Sequence, residues 1–198
     1  KASLVHTHVT TRRIDLQAAG VVCLARLPWL WTIHGLYKSA SDEAASWRKA
    51  LRIARAGTAR ITTVSGGVLR FYESAGLDLS DIATVVYNGI DLGRFRQGAV
   101  RCSGWRSSIG IPEDTVLFGS SGRLVWEKNY SSLVQAAGIL IDRGLNAYFA
   151  IAGDGPQRAE LEAEVAKLGI QDRFRFLGYI HDVPSFLHSL DVFVLPSV

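Results

Sequence analysis

The residues best suited to chemistry lie in Gly119-Ser-Ser-Gly122-Arg123-Leu-Val-Trp-Glu-Lys128-Asn129. An apolar run from Thr115 to Phe118 precedes this stretch, and the helical spacing of Leu133, Ala136, Ala137 and Leu140 follows it. Strand, glycine-containing turn and helix together bring backbone N–H groups and a helix N-terminus to one point, where an anion is favoured. Arg123 and Lys128 add two cations at that turn, which suits a diphosphate with charge on several oxygens. The same spacing also fits an ordinary strand-to-helix connection with two solvated basic side chains.

Histidines form the second set of candidates. His8 follows Leu4-Val5, and His34 follows Trp29-Leu-Trp-Thr-Ile33, so two successive predicted strands end in histidine. Ligands of open α/β sheets bind beyond the carboxyl ends of the strands. A neutral imidazole both donates and accepts hydrogen bonds, which makes His8 and His34 candidates for sugar or phosphate contact. A purely structural role for each is the alternative. His6 is less favoured, because alternation turns it away from Val5, and His181 and His188 lack partners in the sequence and read as surface or core fillers.

The elements that must position these residues follow from periodicity. A helix is predicted over about 10–25, ended by Pro28, and another from Ser41 to Ala56 with Ser39 and Asp42 as its capping pair. Arg48, Arg52 and Arg55 form a stripe on that second helix, either a solvated face or a contact for an anionic membrane surface. Arg60 to Val64 reads as a strand, and Ser65 can cap the helix that starts at Gly66-Gly67. Ile82 to Val86 is a further strand, with Asn88-Gly89 as a turn. Periodicity then disappears from about 92 to 112. An interdomain linker over 99–111 is therefore expected, separating a domain over 1–98 from one over 112–198. From 115 to 195 strands and helices strictly alternate, passing Gly153-Asp154-Gly155-Pro156 at one strand end. That pattern predicts a parallel sheet with right-handed crossovers, hence an α/β, Rossmann-like domain.

Composition narrows the classes. The 198 residues are 48% hydrophobic and 20% charged, a globular balance rather than a disordered one. A net charge of +4 is compatible with anionic substrates, but no compact basic run with interleaved aromatics supports nucleic-acid binding. Cys23 and Cys102 form neither a zinc pattern nor a disulfide framework, so a reducing compartment is expected. The apolar stretch from Ala18 to Ile33 is broken by Arg26 and Pro28 and is too short to span a membrane, and no signal peptide is evident. GxxxxGK[ST], HExxH, GxSxG and DxD motifs are lacking, so neither metal-assisted chemistry nor a cofactor is expected. The chain starts at Lys1, contains no methionine and stops at Leu195-Pro-Ser-Val198, which reads as an internal piece of a longer protein.

Taken in order, these segments resemble the retaining glycosyltransferases of the GT-B fold usually called family 4. Val5-His-Thr-His8, Thr32-Ile-His34-Gly35, Val64-Ser65 and Val86-Tyr-Asn-Gly-Ile-Asp91 with Phe95 resemble that family's acceptor-side domain. Gly122-Arg-Leu-Val-Trp-Glu-Lys128-Asn, Ile151-Ala-Gly-Asp-Gly-Pro156, Phe176-Leu-Gly178, Asp182-Val-Pro184 and Asp191-Val-Phe-Val-Leu-Pro-Ser197 resemble its donor-side domain. The resemblance implies two Rossmann-like domains, both incomplete here, and metal-independent transfer of a sugar from a nucleotide-diphosphate sugar to a glycan, lipid or small-molecule acceptor. Arg123 and Lys128 match the pair that holds the donor diphosphate, with Gly122 and Gly153 beside it and Asp182 and Val183 bordering the nucleobase. His8 matches a position near the transferred sugar and, with Arg123 and Lys128, completes the expected catalytic set. His34 and Ser65 fall on the acceptor or sugar side. No covalent catalyst is implied. A cytoplasmic protein, peripheral at the inner face of a membrane through Arg48, Arg52 and Arg55, is the matching location. A family glycine-rich loop would precede Lys1 and a two-glutamate motif would follow Val198, so the piece is expected to be inactive alone. A sugar-nucleotide epimerase, a phosphorylase and a non-catalytic nucleotide-sugar-binding subunit remain as alternatives.

Overall fold

The computed structural model describes residues 3–9, 20–22, 24–35, 48–49, 51–52, 55, 59–95 and 103–198. They divide into two units, Lys1–Ile90 and Asp91–Val198. In the first, β1 (Val5–Val9), β2 (Trp29–Ile33), β3 (Ala59–Thr63) and β4 (Ala83–Val85) form a parallel sheet in sequence order. Side chains alternate between its faces. Trp29, Trp31, Ile33, Ala59 and Ile61 are buried on one face against Val68 and Tyr72 of α1 (Gly66–Ser74). The Trp29 and Trp31 rings stack with centroids 5.2 Å apart, and Trp29 Nε1 donates to Thr7 Oγ1 at 2.8 Å. Alternation gives the opposite face His6, His8, Leu30, Thr32, Arg60, Thr62 and Thr84, with His8 opposite Thr32. Ser65 caps α1 as its type predicts, its hydroxyl accepting from Val68 N at 3.2 Å.

The second unit contains α2 (Leu92–Phe95), α3 (Ser103–Ser108), β5 (Val116–Ser121), α4 (Tyr130–Asp142), β6 (Ala147–Ala152), α5 (Arg158–Lys167), β7 (Phe174–Gly178), α6 (Val183–Ser189) and β8 (Val192–Phe193). Its sheet is parallel with strand order β7-β6-β5-β8. β5, β6 and β7 step in one direction, and β8 then returns to the other side of β5. The order reverses beside β5, which is where open α/β sheets bind ligands. Both faces of this sheet are covered, as parallel sheets require. Phe149 and Ile151 pack with Leu133, Val134, Leu161 and Val165 of α4 and α5, while Ala150, Ala152 and Leu117 pack with Phe186 of α6.

The linker expected over 99–111 is corrected for its described part. Residues 103–108 form α3, which belongs to the second unit, and that unit begins at Asp91 rather than 112. The Trp105 ring lies 5.0 Å from that of Phe186. Arg106 is 1% exposed, donating through Nε to Ser189 O at 2.8 Å, through Nη1 to Thr115 O at 2.9 Å and through Nη2 to Asp191 Oδ2 at 2.7 Å. A six-residue helix is too short to show periodicity, and its arginine is a buried tie rather than a solvated charge. The expected capping pair Ser39 and Asp42, both cysteines and most of the helix over 10–25 lie outside the described residues.

Candidate functional site

Glycines meet at the carboxyl ends of three strands of the second sheet: Gly122 follows β5, Gly153 follows β6, and Gly178 is the last residue of β7. Gly122 N donates to Ala152 O at 2.9 Å, Gly153 N to Gly178 O at 2.7 Å and Leu124 N to Asp154 O at 2.9 Å. The two loops touch so closely that a Cβ on Gly153, whose φ is +146°, would run into the carbonyl oxygen of Gly122. A Cβ on Gly155 would lie 2.5 Å from Leu124 O. Glycine is required here for backbone approach, which the GxG spacing alone did not establish. Leu124, fully buried, anchors the loop into the core and leaves Arg123 exposed beside it.

A single 3₁₀ turn, Trp126–Lys128, returns the chain, and Asn129 adopts a left-handed conformation (φ 52°) before α4. Asn tolerates that region better than most residues. The turn folds the Lys128 stem over the loop, its Cε 3.5 Å from the place a Gly122 Cβ would occupy. Gly122, Arg123 and Lys128 are thus brought together at the carboxyl end of β5. Beneath them lies the Tyr130 hydroxyl, 2.8 Å from the same Gly122 position. Burial pushes the Tyr130 phenol above its ordinary range, opposed by the neighbouring Ser120 hydroxyl.

A cavity of about 300 Å³ opens at this end of the sheet, lined among others by Gly122, Arg123, Gly153, Asp154, Tyr179 and Val183. Its volume is at the lower end of the range for small-molecule sites. Tyr179 is 79% exposed and meets the His181 ring edge-on at 5.1 Å. Asp154 is held by Gly155 N at 2.7 Å and by Arg158 Nη1 at 3.2 Å. Of the expected pair Asp182 and Val183, Val183 lines the cavity, whereas Asp182 caps α6 by accepting from Ser185 N at 3.2 Å. Hydrogen bonding to the Ser185 hydroxyl, and secondly to its amide, holds the Asp182 carboxyl below the usual carboxylate range. His188, which lacks a partner in the sequence pattern, has its Nε2 3.2 Å from Phe95 O, within hydrogen-bonding distance.

In the first unit, His8 and His34 meet directly, Nδ1 to Nε2 at 2.7 Å. His6, disfavoured on sequence, shares their face, its ring centroid 4.3 Å from that of His8. Its position two residues before His8 on a strand was the signal that could have found it. The Ser65 hydroxyl is engaged in the cap of α1. Of the arginine stripe, Arg48 and Arg52 are exposed, whereas Arg55 is held. Arg55 Nη2 donates to Asp81 Oδ1 at 2.7 Å and to Asp78 O at 2.6 Å, and the Asp81 carboxylate raises the Arg55 pKa. Arg48 Nη2 lies 3.3 Å from a Cβ position on Gly76. Among the described residues, no helix is long and apolar enough to cross a membrane, and no group of three or more His, Cys, Asp or Glu side chains is placed to hold a metal.

Residues 104–198 match the family model of Glycosyl transferases group 1. The chain is 32% identical over 213 residues to a 2-deoxystreptamine glucosyltransferase of Streptomyces kanamyceticus, covering 100% of this chain and 54% of the relative. It is 26% identical over 211 residues to the UDP-Gal:alpha-D-GlcNAc-diphosphoundecaprenol alpha-1,3-galactosyltransferase of Escherichia coli, covering 100% of this chain and 52% of the relative. The chain therefore spans about half the length of these curated relatives. Its fold is that of Anabaena HepE, solved with UDP and glucose, at a TM-score of 0.79 and 21% identity over 98% of this chain and 52% of that one. WaaG, a glycosyltransferase of lipopolysaccharide biosynthesis, aligns with a TM-score of 0.68 at 15% identity over 98% of this chain and 60% of that one. The fold is thus α/β with two parallel sheets, matching GT-B structures.

Proposed function

We propose that the chain, whose residues 104–198 match the family model of Glycosyl transferases group 1, is part of an enzyme that moves a sugar from a nucleotide-diphosphate sugar to an acceptor. The observation that carries this reading is the convergence of Gly122, Arg123 and Lys128 beside β5, where the strand order reverses. The glycine layer lets an anion approach backbone, and the two cations answer the charge of a diphosphate. On transfer, the bond between the anomeric carbon and the diphosphate breaks and the leaving group gains negative charge. Arg123 and Lys128 stabilise that developing charge and so act on the barrier rather than on binding alone.

In the same reading Gly153 and Val183 shape the donor cavity, Asp182 fixes the start of α6 at its border, and His8, His34 and Ser65 belong to the sugar or acceptor side. Transfer proceeds with retention, without a metal and without a covalent protein intermediate. The acceptor is a glycan, lipid or small molecule. Contact with an anionic membrane surface would fall to Arg48 and Arg52, since Arg55 is held by Asp78 and Asp81. In a transferase assay of an enzyme containing this sequence, Arg123→Ala lowers kcat/KM by about a hundredfold or more, the scale for removing one preorganised group from developing charge. Unchanged turnover in that variant would refute the assignment.

A further inference from the structure

On the face of the first sheet that carries His6 and His8, hydrogen bonds run across three strands. Thr62 Oγ1 of β3 lies 2.7 Å from Thr32 Oγ1 of β2, which lies 2.8 Å from His6 Nε2 of β1. His6 packs on His8, and His8 Nδ1 lies 2.7 Å from His34 Nε2, with those two rings stacked at 5.0 Å. Two ring nitrogens at that distance share one proton, so one donates and the other accepts. The bond occupies Nδ1 of His8 and leaves its Nε2 directed away from His34.

We propose that His34 is a positioning residue that sets the rotamer and tautomer of His8, so that His8 Nε2 offers a hydroxyl of the sugar or acceptor one defined hydrogen-bonding role. The consequence for catalysis rests on the functional reading above; the imidazole pair itself does not. When His34 Nε2 donates, His8 Nδ1 accepts and its own proton sits on Nε2, which becomes an outward donor. When His8 Nδ1 donates instead, Nε2 becomes an outward acceptor. The two rings therefore change tautomer together, and a free imidazole would not. The His6 ring lies 4.3 Å from that of His8 and is held in turn by Thr32.

The test is imidazole NMR on the 198-residue chain, ¹⁵N-labelled at histidine. A through-hydrogen-bond ¹⁵N–¹⁵N coupling is expected between His8 Nδ1 and His34 Nε2, with the two His8 nitrogens resolved as one N–H and one acceptor. His34→Ala removes the coupling and leaves His8 averaging between tautomers. His34→Gln supplies an amide N–H to His8 Nδ1 and returns His8 to a single tautomer, Nε2–H. Absence of the coupling in the unsubstituted protein overturns the proposal whether or not either variant folds, as does an unchanged His8 spectrum in folded His34→Ala. A lack of sugar transfer would strike the functional reading and leave this spectrum untouched.

Discussion

Replacing Gly153 by alanine should damage the second unit more than replacing any glycine that merely turns the chain. An added Cβ would overlap the Gly122 carbonyl oxygen and come within 2.8 Å of Gly122 C and 3.4 Å of Gly122 N. All three are backbone atoms, so no side chain can swing aside. The loops must part, which strains the bonds from Gly122 N to Ala152 O and from Gly153 N to Gly178 O. Overpacking of this kind costs about 1–3 kcal/mol, and holding a non-glycine residue at φ +146° adds about 1–3 kcal/mol more. Gly144 is the control, with φ +82° and nothing within 4 Å of its Cβ position, so Gly144→Ala meets conformational strain alone. Urea unfolding of both variants measures the difference at unchanged m-value. Gly153→Ala is expected to lose about 1–3 kcal/mol beyond Gly144→Ala. Equal losses would show that the two loops are not in backbone contact, and the glycine layer would fail as the basis of the site.

Other outcomes follow from single contacts. Asp191→Asn leaves the buried Arg106 guanidinium without its carboxylate and should cost about 3–5 kcal/mol in urea unfolding; a loss no larger than that of an exposed ion pair, about 1 kcal/mol or less, would argue against the buried pair. Ser65→Ala removes the cap of α1 and should cost about 1 kcal/mol by the same measurement, with Ser65→Thr close to unchanged. Asp182 has a folded pKa below its unfolded value, so its capping contribution is fully present above about pH 3.9 and is lost as pH falls through the lower folded value. The Ser185 amide proton, followed by NMR, should titrate with a midpoint below that of an ordinary aspartate, and Asp182→Asn should abolish the transition.

Much of this was legible from residues alone, because alternation and helical spacing are strong over 115–195. Ser65 at the start of α1 and the apolar β6 run sit where their types predict, whereas Pro156, whose type suits a first helical turn, lies just ahead of α5. Local pattern failed where a residue's partner is distant in sequence. Arg106 reads as a linker charge, since Ser189 and Asp191, more than eighty positions away, are what bury it. Arg55 reads as part of a basic stripe because nothing local announces Asp78 and Asp81. His6 reads as turned away from Val5, but the same alternation puts it on the face of His8, two residues on. The backbone contact between Gly122 and Gly153 is likewise a pairing of two strand ends, to which periodicity within one segment is blind.

Nucleotide binding to the 198-residue chain tests the diphosphate site most directly. UDP is the first ligand to try, since HepE, a solved protein of the same fold, was crystallised with it. A ligand that binds only the folded state at a hundred times its Kd stabilises it by about 2.7 kcal/mol, enough to raise the melting temperature measurably. The expected result is a rise in Tm with UDP or another nucleoside diphosphate, a smaller rise with the nucleoside alone, and none in Arg123→Ala with Lys128→Ala. A Tm unmoved by every nucleoside diphosphate, or moved equally in the double variant, would contradict the assignment of Gly122, Arg123 and Lys128 to a sugar-nucleotide diphosphate.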